Sequence, residues 1–196
     1  MIILGVDPGT VILGYAIIQV EGKKLTCLHL DALKLNPKKD PFDRLADIHS
    51  AIAELFAIYR PDTLAMEAPF FGKNVQSMLK LGRAQGVIMS AGLAARIPVE
   101  EYSPRKVKQA ITGNGAASKE QVSGMLQHIY GLKEMPKSLD ATDGLAVATC
   151  HAYALDSPVR TVSPSKLKAA PKGKGKGSWA AFLTQHPDRV KDEKSK

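Results

Sequence analysis

Four acidic side chains occupy positions where this sequence has little structural reason to place a charge. Asp7 ends the apolar run ILGV in ILGVDPGT, and Glu67 ends a second apolar run, TLAM. Asp140 and Asp143 stand three apart in SLDATDGLA. Taken singly, each has a simple role. Asp7 can cap the Asp-Pro-Gly turn, and DPGT also reads as a loop that cradles a nucleotide phosphate. Glu67 can be a solvated strand end. Asp140 and Asp143 are favourable in the first turn of a helix, where the dipole stabilises negative charge. Those roles leave unexplained why two buried-type strands both end on acids.

A shared site explains it. If the two apolar runs are parallel neighbours, their backbones lie about 4.8 Å apart. Asp7 and Glu67 then emerge side by side at the C-terminal edge of a sheet, where open α/β folds place their sites. Residues three apart on a helix share a face, so Asp140 and Asp143 can reach one point. Unpaired carboxylates this close repel, so a cation is needed to hold them together. No Lys or Arg adjoins any of the four in sequence. Hard oxygen donors select Mg²⁺, with Mn²⁺ as a substitute, over zinc, and four of them suit two ions roughly 3.5–4 Å apart. Such a pair clamps a phosphodiester for in-line attack by water and leaves a 5′-phosphate and a 3′-hydroxyl.

The elements that must position these acids follow from hydrophobic periodicity. Strands are predicted over Ile2 to Val6, Leu13 to Val20 and Lys24 to Leu35, the last two joined by the turn Glu21-Gly22-Lys23 as a hairpin. Phe42 to Tyr59 carries apolar residues at spacings of three and four and is an amphipathic helix ended by Pro61. A strand from Thr63 to Met66, a helix from about Asn74 to Arg96 and a strand from Pro98 to Tyr102 come next. Helices over Pro104 to Thr112, Ser118 to Tyr130 and Leu139 to Leu155 complete the order. An antiparallel meander leading into β-α-β crossovers predicts an α/β fold: a five-stranded mixed sheet with helices on both faces.

Hydrophobic residues make up 44% of the 196 and charged residues 23%, the balance of a globular domain able to bury its own core. Cys27 and Cys150 have no metal-binding spacing and are expected as buried free thiols. No apolar run is long enough to span a membrane, and no basic leader precedes the first strand, so the expected compartment is the cytoplasm. Of the net charge of +8, +6 lies in residues 155–196, which hold ten Lys and Arg against four Asp and Glu. Residues 1–155 are therefore expected to form the domain, with 156–196 as a basic appendage. In that appendage KGKGKGS is a flexible linker, and Ser178, Trp179, Phe182 and Leu183 fit a short amphipathic helix near 178–185. The alternative there is a disordered tail with a few stray aromatics.

Four separated stretches come in a familiar order: ILGVDPGT with GYAII, then PDTLAMEAPFFGKNVQSMLKLGRAQG, then EYSPRKVKQAITGNGAASKEQV, then DATDGLAVATCHA. In residues 1 to about 154 the chain resembles the RuvC family of bacterial Holliday-junction resolvases; the segment after 155 offers no motif of that family. The resemblance implies an RNase H-like fold, a homodimer and Mg²⁺-dependent, symmetric nicking of four-way DNA junctions, in partnership with the RuvA–RuvB branch-migration complex. It places the family's acids on Asp7, Glu67, Asp140 and Asp143. It gives Phe70 a stacking role on a base unpaired at the crossover, and makes Lys108 and Lys119 DNA contacts. Lys73 and Asn74 open a helix whose free N–H groups suit a phosphate, and Arg105 and Lys106 are adjacent candidates. For all these basic residues a solvated helix face is the alternative.

Gly82 and Gly86 share one side of a helix, which the family uses at its dimer interface; packing on the chain's own sheet is the alternative. The DPGT loop also resembles that of actin-like ATPases, but those need two such lobes, for which this chain is too short. A protein that only binds branched DNA would gain nothing from four acids facing phosphates.

Overall fold

The computed structural model describes residues 1–68, 74–132 and 139–156. Five strands, β1 (Ile2–Asp7), β2 (Ile12–Glu21), β3 (Lys24–Lys34), β4 (Thr63–Glu67) and β5 (Val99–Tyr102), form one sheet in the order β3-β2-β1-β4-β5. β1 pairs antiparallel with β2, and β2 with β3. β1 and β4 are parallel, as are β4 and β5. The helices are α1 (Pro41–Tyr59), α2 (Val75–Ala94), α3 (Pro104–Thr112), α4 (Lys119–Tyr130) and α5 (Leu139–Asp156).

The expected mixed sheet with helices on both faces is present, and its strand alternation assigns the faces. Leu4 and Val6 of β1 pack with Leu64 and Met66 of β4 against Ile48 and Ile52 of α1 and Ile88 of α2. Ile3 and Ala65 pack on the other side, with Val107 of α3, Leu126 of α4 and Leu145 of α5. Successive strand residues point to opposite faces, so Asp7 follows Ile3 and Gly5 on the α5 side, and Glu67 follows Thr63 and Ala65 there. β1 and β4 each run one residue further than expected, so each acid is the last residue of its strand.

Local chemistry fixes the helix ends. Asp40 and Ser103 cap α1 and α3, each with proline at the first helical position, and Ser118 forms a capping box with Gln121 at α4. The second helix begins one residue later than expected because the side chain of Asn74 is its cap and accepts from Ser77 N at 3.1 Å. It stops at Ala94, two residues before the left-handed Arg96, φ 58°.

α5 crosses the sheet backbone to backbone. A Cβ on Gly144 would lie 2.6 Å from Tyr15 Cα, and one on Gly5 would lie 2.5 Å from Ala148 N. Gly14 faces the carbonyl of Asp140 more closely still. Further along α5 a polar clamp ties the helix to the strands. His151 is 2% exposed, with Tyr102 Oη 2.7 Å from its Nδ1 and Thr63 Oγ1 3.1 Å from its Nε2. Thr63 Oγ1 donates to the carbonyl of Pro98, so it accepts from Nε2–H and leaves Nδ1 to accept from Tyr102. Both cysteines are free thiols; Cys150 is buried and Cys27 only partly so. Among the described residues no helix is long and apolar enough to cross a membrane. The expected boundary at 155 falls one residue short of the end of α5 at Asp156, and residues 157–196, with the helix expected near 178–185, lie outside the described residues.

Candidate active site

Strand register brings the first two acids together. Val6 of β1 is level with Met66 of β4, so the next residues, Asp7 and Glu67, adjoin at the sheet edge. α5 supplies Asp143 on the same side, and these three line one cleft with Lys108 of α3 and Lys119 of α4. Val107, Val122 and Ala146 form its apolar floor. Asp140 lies in the first turn of α5 but is not among the cleft-lining side chains. Its charge still acts on Asp7 and Lys119.

The electrostatics record the crowding. Burial, then the charges of Glu67 and Asp143, push the Asp7 carboxyl up to about 7. Burial and Asp143 likewise push Glu67 up to about 7, with Lys119 and Lys108 opposing. Of the two cleft lysines, Lys119 pairs directly with an acid: its Nζ lies 2.5 Å from Asp143 Oδ2. That hydrogen bond, with the charges of Asp143, Asp7 and Asp140, raises the lysine's pKa.

Among the described residues no three His, Cys, Asp or Glu side chains are gathered tightly enough to chelate a metal ion. The donor chemistry nevertheless fits a hard divalent cation: the cleft's acids are all carboxylates, and two of them are held near neutral pKa by burial and mutual repulsion.

The remaining expected site residues fall in several places. Lys108 and Lys119 line the cleft. Arg105 is exposed and lies against Gly115 in the turn between α3 and α4. Lys106 sits over the Tyr102 ring, 4.8 Å from its centroid. Asn74 spends its side-chain oxygen on capping α2. Phe70 and Lys73 lie outside the described residues. Gly82 and Gly86 are exposed with open space where a Cβ would stand, so they do not pack on the chain's own sheet. Val75, Leu79 and Leu93 of the same helix are exposed as well.

Sequence reasoning missed two supports. Gln85 is buried on α2 and donates from Nε2 to the carbonyl of Glu67 at 3.1 Å, fixing the end of β4. A polar residue on an apolar helix face was its only signal. The Lys119–Asp143 pair joins residues 24 apart and had no local signal.

A mixed five-stranded sheet of this order, with acids at the ends of its two central parallel strands and on the helix that crosses them, defines an RNase H-like nuclease. The sequence model of the family described as "Crossover junction endodeoxyribonuclease RuvC" matches residues 3–151. A RuvC of that description from Christiangramia forsetii is 50% identical over 190 residues, covering 97% of this chain and 93% of that protein. The structure of Thermus thermophilus RuvC has a TM-score of 0.74 at 37% identity, covering 80% of this chain and 96% of the other. The same protein in complex with a Holliday junction substrate gives 0.73 at 34% identity, with the same coverage. The chain belongs to the RuvC family of crossover junction endodeoxyribonucleases, which are metal-dependent nucleases. The Christiangramia match also runs beyond residue 156, where the motif resemblance had ended.

Proposed function

We propose that this protein resolves four-way DNA junctions by paired symmetric nicks, hydrolysing phosphodiester bonds to 5′-phosphate and 3′-hydroxyl ends in recombination and repair. The observation that carries this reading is the convergence of Asp7, Glu67 and Asp143 on one cleft that Lys108 and Lys119 share. Asp7, Glu67, Asp140 and Asp143 would hold Mg²⁺, two ions per subunit, with Mn²⁺ as a substitute. Bound there, the ions supply Lewis acidity to the scissile phosphate and to the attacking and leaving oxygens.

The chain's own groups do the rest. Lys108 and Lys119 attract the DNA backbone to an acidic cleft it would otherwise avoid. Val107, Val122 and Ala146 give the cleft a dry floor, which strengthens each charge interaction above it. Gln85 and the close backbone contacts of α5 at Gly5, Gly14 and Gly144 hold the carboxylates at fixed positions. Phe70 stacks on a base at the opened crossover, and Lys73, Asn74 and Arg105 are further backbone contacts.

The exposed stripe of Val75, Leu79, Gly82, Gly86 and Leu93 on α2 supports a homodimer, which symmetric nicking requires. Residues 1–155 act as the catalytic unit and 156–196 as a basic appendage. The RuvA–RuvB branch-migration complex is the expected partner, and a chromosomal DNA substrate fits a cytoplasmic location.

A Mg²⁺ titration with a synthetic mobile four-way junction, with nicks mapped on each strand, tests the reading. Paired nicks related by the junction's symmetry are expected. Tight binding with no nick at any Mg²⁺ or Mn²⁺ concentration would show a binding protein instead.

A further inference from the structure

A second cationic recess lies on the sheet face opposite the acids. Arg44 of α1 and Lys80 and Arg83 of α2 line it, together with Thr10 of the loop after β1. Among the described residues no acidic side chain lines the recess, and none of the three cations has an ion pair. Arg44 forms the fixed part: Nη1 donates to the carbonyl of Thr10 at 3.1 Å. Its Nε is fully buried and has no hydrogen-bond partner among the described residues.

A buried guanidinium N–H without an acceptor is costly, and an anion is the partner that satisfies both its charge and its donor. Lys80 and Arg83 are exposed at the rim, free to close on such an anion. The guanidinium fork and two further cations match the oxygens of one phosphate group. Phe42, 71% exposed on the same recess, offers a flat apolar surface beside it, as a nucleotide needs.

We propose that this recess binds a backbone phosphate of the DNA substrate, on the flank of the scissile site. The placement favours DNA over a free anion. Thr10 stands three residues after Asp7, so a duplex arm leaving the cleft across this sheet edge passes the recess. The inference rests on the junction-cutting reading given above.

The test uses the full chain in Ca²⁺, a labelled four-way junction, and separately sodium phosphate and ATP. Wild type is compared with a Lys80→Ala/Arg83→Ala double variant, whose exposed positions spare the fold. The expected result is a junction Kd about tenfold weaker in the variant, with the slope of log Kd against log salt reduced by about 0.9, the value of one phosphate contact. The Arg44 Nε–H NMR signal of wild type is expected to move on junction binding and not with millimolar phosphate or ATP. Unchanged Kd and slope would overturn the proposal. So would weakened binding with an unmoved Arg44 signal, since Lys80 and Arg83 would then act only as general surface charge. A saturable Arg44 response to phosphate or ATP would overturn the assignment to DNA. Wild-type nicking in Mg²⁺ is the control: its absence sinks the junction-cutting reading, whereas nicking with unchanged variant affinity sinks only this inference.

Discussion

Lys119 Nζ and Asp143 Oδ2 are 2.5 Å apart, so the acidic cleft carries its own cation. A divalent ion that uses Asp143 must compete with that ammonium. Lys119→Met is therefore expected to tighten Ca²⁺ binding without DNA by roughly tenfold, a modest gain because the lysine is partly exposed and its pairing is solvent-screened. Calorimetry without DNA measures it. Weaker or unchanged affinity would mean that Asp143 does not meet the cation.

Asp7→Asn removes one carboxylate from the crowded edge without changing its shape. Junction binding in Ca²⁺ is expected to persist while nicking in Mg²⁺ falls on the order of a thousandfold, the scale of losing one preorganised electrostatic group. Wild-type cutting by the variant would remove Asp7 from the site.

The raised pKa values of Asp7 and Glu67, each about 7, give a pH dependence with a definite sign. The folded state holds protons that the unfolded chain has released by that pH. In the metal-free protein this contribution to stability is complete below about pH 4 and is lost as pH rises through about 7. A Tm series in EDTA is expected to decline over that window, and Ca²⁺ is expected to add more stability at pH 8 than at pH 5. An equal Ca²⁺ effect at both pH values would show that these acids do not bind the ion.

His151 works in the opposite direction. Burial lowers its pKa, and Nδ1 accepts from Tyr102 only while the ring is neutral. Its contribution is present above about pH 6.5, the unfolded value, and is lost as pH falls below it. Tyr102→Phe leaves Nδ1 buried without a donor and is expected to cost about 1–3 kcal/mol at pH 8 in chemical denaturation. An unchanged midpoint and slope would show that the clamp contributes nothing.

Gly144→Ala places a methyl group against the backbone of Tyr15. Overpacking of this kind is expected to cost about 1–3 kcal/mol. It also lifts the neighbouring Asp143 from the cleft, so Ca²⁺ affinity should fall with stability. A variant of normal stability and affinity would show that α5 has room to shift.

The acids were legible because a carboxylate at the end of an apolar strand has few structural uses, and alternation along β1 and β4 then fixed their face. The element order was legible because the hydrophobic periods were clean and proline, serine and glycine marked the ends. What stayed hidden depends on contacts between distant segments. The approach of Lys119 to Asp143, the hold of Gln85 on Glu67 and the recess around Arg44 each join different elements. Asp140 shows a finer limit: spacing put it on one face with Asp143, but only Asp143 lines the cleft. Phe70 and Lys73 rest on sequence alone.

The crossing of α5 over the sheet also sets a schedule. Asp7 and Glu67 leave the ribosome early, while Asp143 and the helix that covers Ile3, Ala16, Ile18 and Ala65 come near residue 150. Until then one side of the sheet lacks its covering helix and the carboxylates lack their third member. On the proposed site, a nascent chain would have no competent nuclease, and cutting activity would appear only once the core can close.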